Sequence, residues 1–145
     1  MVRLVRLCLR KEVNMATILV VDDERRIRET CAVYFTERGH EVFGAPDAIS
    51  GCGILDKESV DLVLLDLNLG EIQGDTLNDV MATFHPKVLV AVCSVFPVED
   101  QKGFVPDADA YHDKADGLAV LEKKVMQLLN SYKPETVEQK KGGKR

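Results

Sequence analysis

Short apolar runs alternate along the chain with longer stretches in which apolar residues recur every three or four positions. Four runs stand out, at residues 17–21 (TILVV), 41–45 (EVFGA), 60–65 (VDLVLL) and 87–93 (KVLVAVC), and a weaker fifth covers residues 109–112. Their aliphatic and β-branched content is that of strands buried on both faces, the habit of parallel sheets. The stretches between them carry helical spacing. Ile27, Cys31, Tyr34 and Phe35 fall at i, i+4, i+7 and i+8, and Gly39 stands where a C-terminal cap would end that helix. Pro46 and Asp47 open a second segment that Gly51 and Gly53 weaken by about 1 kcal/mol each relative to alanine, which predicts a short or mobile helix. Leu77, Val80, Met81 and Phe84 mark a third helix over residues 75–84, and Pro97 and Pro106 leave room for only a truncated fourth. Leu118, Leu121, Val125, Leu128 and Leu129 form the cleanest stripe, after an Asp116 suited to the N-cap. Strands alternating with helices predict an α/β domain built on a parallel sheet.

The 145 residues fit one domain, expected over residues 16–132. With 46% hydrophobic and 30% charged residues the chain is neither disordered nor fibrous, and no run approaches the roughly 18 apolar residues of a membrane span. Cys8, Cys31, Cys52 and Cys93 stand far apart, without a C-x-x-C pair, and read as buried, reduced thiols of a cytoplasmic protein. His40, His85 and His112 share no ligand spacing. Charge divides the chain. Residues 1–14 hold four basic residues against one acidic, and residues 133–145 hold five against two; removing these two surpluses of three from the net charge of −5 leaves −11 on residues 15–132. So acidic a body repels phosphate backbones, which argues against direct nucleic acid binding by the core. The polar residues 133–145 read as a basic flexible tail. Residues 1–15 read as an extension, favoured over an amphipathic anchor built on Arg3, Arg6 and Arg10, and one that a translation start at Met15 would omit.

In open parallel sheets ligands bind beyond the carboxyl ends of the strands. There the chain places Asp22 and Asp23 after the first run, Asp66 after the third, Ser94 after the fourth and Lys114 after the fifth. Carboxylates this close repel by about 4 kcal/mol per pair at 4 Å and an effective dielectric near 20, so something cationic must compensate. A hard divalent ion of the magnesium type suits an all-oxygen site, with Lys114 as a fixed second charge. Together they suit phosphoryl chemistry, in which a carboxylate attacks phosphorus. The bland reading of Asp22 and Asp23 is a pair of helix caps. Asp66 resists such a reading, because it ends a strand where a structural residue would be apolar or a turn former.

Residues 17–132 resemble the receiver domain of bacterial two-component response regulators. ILVVDDE at Ile18 to Glu24 is similar to that family's first strand and acidic pair, and LVLLDLNLGEIQG at Leu62 to Gly74 to its phosphoacceptor strand and loop. VAVCS ending at Ser94 and DAYHDK ending at Lys114 follow in order. The resemblance implies a flavodoxin-like doubly wound five-stranded parallel sheet with helices on both faces. It also implies that Asp66 accepts a phosphoryl group from a sensor histidine kinase or phosphotransfer protein. Mg²⁺ would be ligated by Asp23, Asp66 and the backbone carbonyl of Asn68, with Asp22 acting mostly through water. Lys114 would pair with Asp66 and then with the phosphoryl group. Ser94 would bond the new phosphoryl oxygen, and Tyr111 would follow as the second switch residue.

Two departures bear on these roles. Ala115 replaces the proline usual after the lysine, where a non-proline cis bond would cost about 3 kcal/mol, so the loop holding Lys114 is expected to differ. Gly70 replaces a common proline and predicts a more pliant loop after Asp66. The expected function is that of a stand-alone receiver that switches contact with a downstream protein, with homodimerisation a further option, and with no chemistry beyond its own phosphorylation and dephosphorylation. One alternative is a receiver-like binding module that is never phosphorylated. Another is an aspartyl-phosphate phosphohydrolase, disfavoured because Asn68 stands where its general acid is needed.

Overall fold

The computed structural model describes residues 15–70 and 73–131. Residues 1–14, the tail 133–145 and Cys8 lie outside them. Five strands, β1 (Thr17–Val21), β2 (Glu41–Ala45), β3 (Leu62–Leu65), β4 (Leu89–Ser94) and β5 (Ala110–Asp113), form one sheet in the order β2-β1-β3-β4-β5. Every pairing is parallel. Between the strands run α1 (Arg25–Thr36), α2 (Ala48–Lys57), α3 (Gly74–Phe84) and α4 (Val98–Phe104), and α5 (Gly117–Ser131) follows β5 through a 3₁₀ turn at Lys114–Asp116. This is the doubly wound five-stranded sheet that the sequence implies.

Strand alternation divides the core in two. Leu19, Val21, Val63, Leu65, Val90 and Val92 point to one face, where they meet Leu55 of α2 and Leu77 and Met81 of α3. Ile18, Val20, Leu62, Leu64, Ala91 and Cys93 point to the other, where Cys31 and Phe35 of α1 and Leu121 and Val125 of α5 cover them. Because side chains alternate with period two, only a run apolar at every position can serve both layers. That is why β1, β3 and β4 are buried throughout.

Several boundaries differ from expectation. The third strand starts at Leu62 because Asp61 is occupied at its mouth: its N–H donates to the Thr17 carbonyl at 2.8 Å and its carboxylate accepts from the Thr17 N–H at 2.7 Å. The fourth starts at Leu89 after a turn closed by Val88 N–H to the His85 carbonyl at 3.2 Å. Helix α2 is a full ten residues, capped by Asp47, whose side chain accepts from the Ser50 N–H. Its Gly51 lies against β1, where an added Cβ would come within 3.3 Å of a Val21 methyl carbon, so the glycine permits close packing that offsets its poor helix propensity. The fourth helix is truncated to seven residues, as the prolines imply. Cys31 and Cys93 are buried, whereas Cys52 is only half-buried.

Gly74 fixes the path of the chain after β3. A Cβ there would stand 2.3 Å from the Asp66 carbonyl oxygen and 2.9 Å from the Leu67 Cα, both backbone atoms that cannot swing away. Gly53, in α2, has nothing within 4 Å of such a Cβ. Urea unfolding is therefore expected to show Gly74→Ala losing about 3 kcal/mol through overpacking, while Gly53→Ala gains about 0.5 kcal/mol through helix propensity. Equal effects at the two glycines would refute the close approach at Asp66.

Candidate functional site

The carboxyl ends of β1, β3, β4 and β5 bring five of the predicted side chains to one rim. Backbone bonds from Asp22 N–H to the Ala45 carbonyl (3.0 Å) and from Asp66 N–H to the Val21 carbonyl (2.9 Å) continue the ladder past the strand ends and hold both acids in register. One carboxylate oxygen from each of Asp22, Asp23 and Asp66 lies within 4.8 Å of the others; Asp22 and Asp66 are buried and Asp23 is exposed. Asp22 does form a local cap as well, its Oδ1 accepting from the Glu24 N–H at 2.9 Å. Its other oxygen faces Lys114.

The Lys114 Nζ donates to Asp22 Oδ2 at 2.7 Å and stands 3.6 Å from Asp66 Oδ1. The tighter pair is thus with Asp22, where the sequence reading gave Asp66 as the partner. Burial pushes the Asp66 carboxyl up to about 6; Lys114 pulls it down, Asp22 adds to the rise, and the Asn68 N–H and the Asp23 charge act in opposite senses after them. Burial alone would lower Lys114, but the hydrogen bond with Asp22, followed by the charges of Asp66 and Asp22, holds it above the ordinary lysine value. The hydrogen bond and the neighbouring negative charges together outweigh lost hydration here.

An all-oxygen donor set of three mutually close carboxylates matches the preference of Mg²⁺ for hard oxygen ligands, so the residues present fit that ion. Asn68 is exposed two residues beyond Asp66. The loop that follows is pinned by Gln73, whose Nε2 donates to the Gly70 carbonyl and whose Oε1 accepts from the Leu69 N–H at 3.4 Å. Gly70 has φ +84°, a left-handed conformation closed to proline, so its presence redirects the loop. At the other side of the rim the described peptide bonds are all trans, and the Asp113 carboxylate accepts from the Ala115 N–H at 2.9 Å, a donor that proline lacks.

Ser94 closes β4, buried, and its Oγ accepts from the Phe96 N–H at 3.2 Å. Tyr111 is not among the converging side chains: its hydroxyl donates to the Val105 carbonyl at 2.5 Å and accepts from the Ala108 N–H at 3.2 Å. Beneath Asp22, Asp66 and Lys114 opens a cavity of about 370 Å³ between α1 and α5, which Cys31 and Cys93 also line. Burial, then the Asp22 charge, pushes the Cys31 thiol up to about 11, and burial raises Cys93 likewise, so both stay protonated. Residues that sequence reasoning missed are Gln73 and Gln101. No spacing rule singles out either glutamine, since each acts through main-chain groups.

Residues 18–126 match the model of the response regulator receiver domain family, and the chain belongs to that family. The transcriptional activator protein PfeR of Pseudomonas aeruginosa is 30% identical over 113 residues, 77% of this chain but 37% of its own length. A CheY-like receiver domain protein from Methanospirillum hungatei superposes with a TM-score of 0.75 at 25% identity, covering 88% of this chain and 98% of that one. The response regulator TrrA from Thermotoga maritima, solved with Mg²⁺ and BeF, gives 0.72 at 26% identity, covering 79% of this chain and 99% of that one. Receiver domains of this family bind Mg²⁺ at such an acidic cluster. Among the described residues no helix is long and apolar enough to cross a membrane.

The raised Asp66 carboxyl predicts a pH signature. Its value of about 6 in the folded chain exceeds the 3.8 of an unperturbed aspartate. Between these values the folded state holds more protons than the unfolded state, so stability falls as pH rises from about 4 to about 6 and stays low above that. Asp66→Asn has no such proton to lose. In chelator, the variant is expected to match the wild type at pH 4 and to exceed it by about 2 kcal/mol at pH 7.5 in urea unfolding. A difference independent of pH would show that Asp66 is not held near neutrality by burial.

Proposed function

We propose that Asp66 is a phosphoacceptor, receiving a phosphoryl group from a histidine kinase or phosphotransfer protein, and that the chain passes the signal on by altering a protein contact. The observation that carries this reading is the half-buried ammonium of Lys114 set 2.7 Å from one carboxylate and 3.6 Å from another, with a third acid beside them. Above pH 6 the Asp66 carboxylate is ionised and needs no base. One of its oxygens attacks phosphorus, the bond from phosphorus to the donor's nitrogen or acyl oxygen breaks, and the electron pair leaves with the donor. Asp22, Asp23, Asp66 and the Asn68 carbonyl would hold Mg²⁺, which when bound supplies positive charge to the phosphoryl oxygens. Lys114 is already placed to exchange part of its bond with the acids for one to the phosphoryl group, and Ser94 offers its hydroxyl hydrogen, since its oxygen is used only as an acceptor in the present bond.

The chemistry is confined to the chain's own aspartate and does not extend to turnover of external phosphate esters. Asn68 supplies no acid two residues beyond Asp66, which supports that limit. The contact surface affected lies past Ser94, where Phe96 and Phe104 pack ring to ring at 5.5 Å while 41% and 53% exposed. Tyr111 would join the change only by releasing Val105 and Ala108.

With acetyl phosphate and Mg²⁺, intact-mass measurement is expected to show one phosphoryl group on the wild type and none on Asp66→Asn. Lys114→Ala should slow uptake roughly a hundredfold, the scale on which loss of one preorganised charge-stabilising group is felt. Equal labelling of the wild type and Asp66→Asn would remove Asp66 from this role.

A further inference from the structure

Helix α4 buries a polar side chain that its surroundings do not require. Gln101 is fully buried, and its Nε2 donates to the Phe96 carbonyl at 2.7 Å and to the His112 carbonyl at 2.8 Å. Both acceptors are carbonyl oxygens, so the amide has one orientation only, with its NH₂ facing them. Phe96 lies two residues after Ser94 and its own N–H is bonded to the Ser94 Oγ; His112 lies two residues before Lys114. The ladder between β4 and β5 ends at the pair Ser94 and Asp113. At this end of the ladder, the two protons of one amide join the loop that follows the hydroxyl-bearing end of β4 to the strand β5 that leads into Lys114. The remaining oxygen, Oε1, is buried with no hydrogen-bond partner among the described residues. Leucine or methionine would fill the same space without stranding a carbonyl, so what distinguishes glutamine here is the pair of bonds it makes.

We propose that Gln101 is a positioning residue for phosphoryl uptake at Asp66, acting through Ser94 and Lys114 by fixing the separation of the segments that present them. This rests on the assignment of Asp66 as phosphoacceptor. Gln101→Met keeps the volume and removes both donors. At saturating Mg²⁺ and acetyl phosphate its maximal labelling rate is expected to fall about tenfold, with the half-saturating Mg²⁺ concentration within about twofold of wild type, because the carboxylates are untouched. In a Ser94→Ala background the same substitution should cost less than about threefold, since one of the groups it serves is gone. Equal losses in the two backgrounds, or a weakened Mg²⁺ dependence with an unchanged maximal rate, overturn the proposal. Absence of labelling in the wild type itself strikes the phosphoacceptor assignment first and the proposal with it. Should Gln101→Met not fold, the ¹⁵N-labelled wild type decides: the Gln101 side-chain amide protons are expected to exchange with solvent as slowly as the backbone amides of β5, and to change chemical shift on phosphorylation. Fast exchange, or an unmoved signal, refutes it.

Discussion

One ammonium between two buried carboxylates governs the rim of this sheet. Asp22 and Asp66 are carried by neighbouring strands whose backbone bonds leave them no freedom to separate. Two negative charges so placed repel by several kcal/mol at protein dielectric, and removal from water adds to the cost. Lys114 relieves both, but unequally: it hydrogen-bonds Asp22 and only approaches Asp66. Asp66 is therefore the acid left under-compensated. Burial, which the more distant Lys114 only partly offsets, raises its carboxyl to about 6, so it is ionised at neutral pH. The asymmetry of one lysine's contacts thus leaves the two buried acids in different electrostatic settings.

That arrangement depends on the core beneath it. Because β1, β3 and β4 are apolar at every position, they can be sandwiched between two helical layers, and only their ends are free to carry charge. The polar residues at those ends face one another because parallel strands all terminate on the same side. Gly74 then lets α3 begin against the Asp66 backbone, where no side chain would fit. Sheet, glycine and rim are one construction.

Much of this was legible in the sequence, for a physical reason: a fully buried strand leaves an uninterrupted apolar run, and a charge at its end stands out against it. Asp22, Asp23, Asp66, Ser94 and Lys114 were found that way, and each sits at a strand end or one or two residues beyond it. Helix α2 was undervalued because propensity counts the cost of Gly51 and cannot see Val21 packed against it. The nearest partner of Lys114 could not be read, since spacing along the chain does not decide which of two acids an ammonium reaches first. Tyr111 was assigned a place by resemblance, but its hydroxyl is engaged by the backbone at Val105 and Ala108. Gln101 left no trace at all, because it works through main-chain carbonyls, which every residue has.

The two departures from the usual receiver pattern illustrate how a loop can be held by different means. At Gly70 the chain turns through φ +84°, and Gln73 ties that turn with a bond to the Gly70 carbonyl and another from Leu69. Beside the glycine expected to make this loop pliant, a side chain three residues on bonds the main chain at Leu69 and Gly70. At Ala115 the main-chain N–H donates to the Asp113 carboxylate, which caps the 3₁₀ turn and sets the residue between them, Lys114, at the mouth of the site. Proline would stiffen the chain through its ring, whereas alanine recruits a neighbouring acid to do so through a hydrogen bond. At both positions a side-chain hydrogen bond stands where the family pattern has the ring of proline: Gln73 bonds the main chain beside Gly70, and Asp113 bonds it beside Ala115.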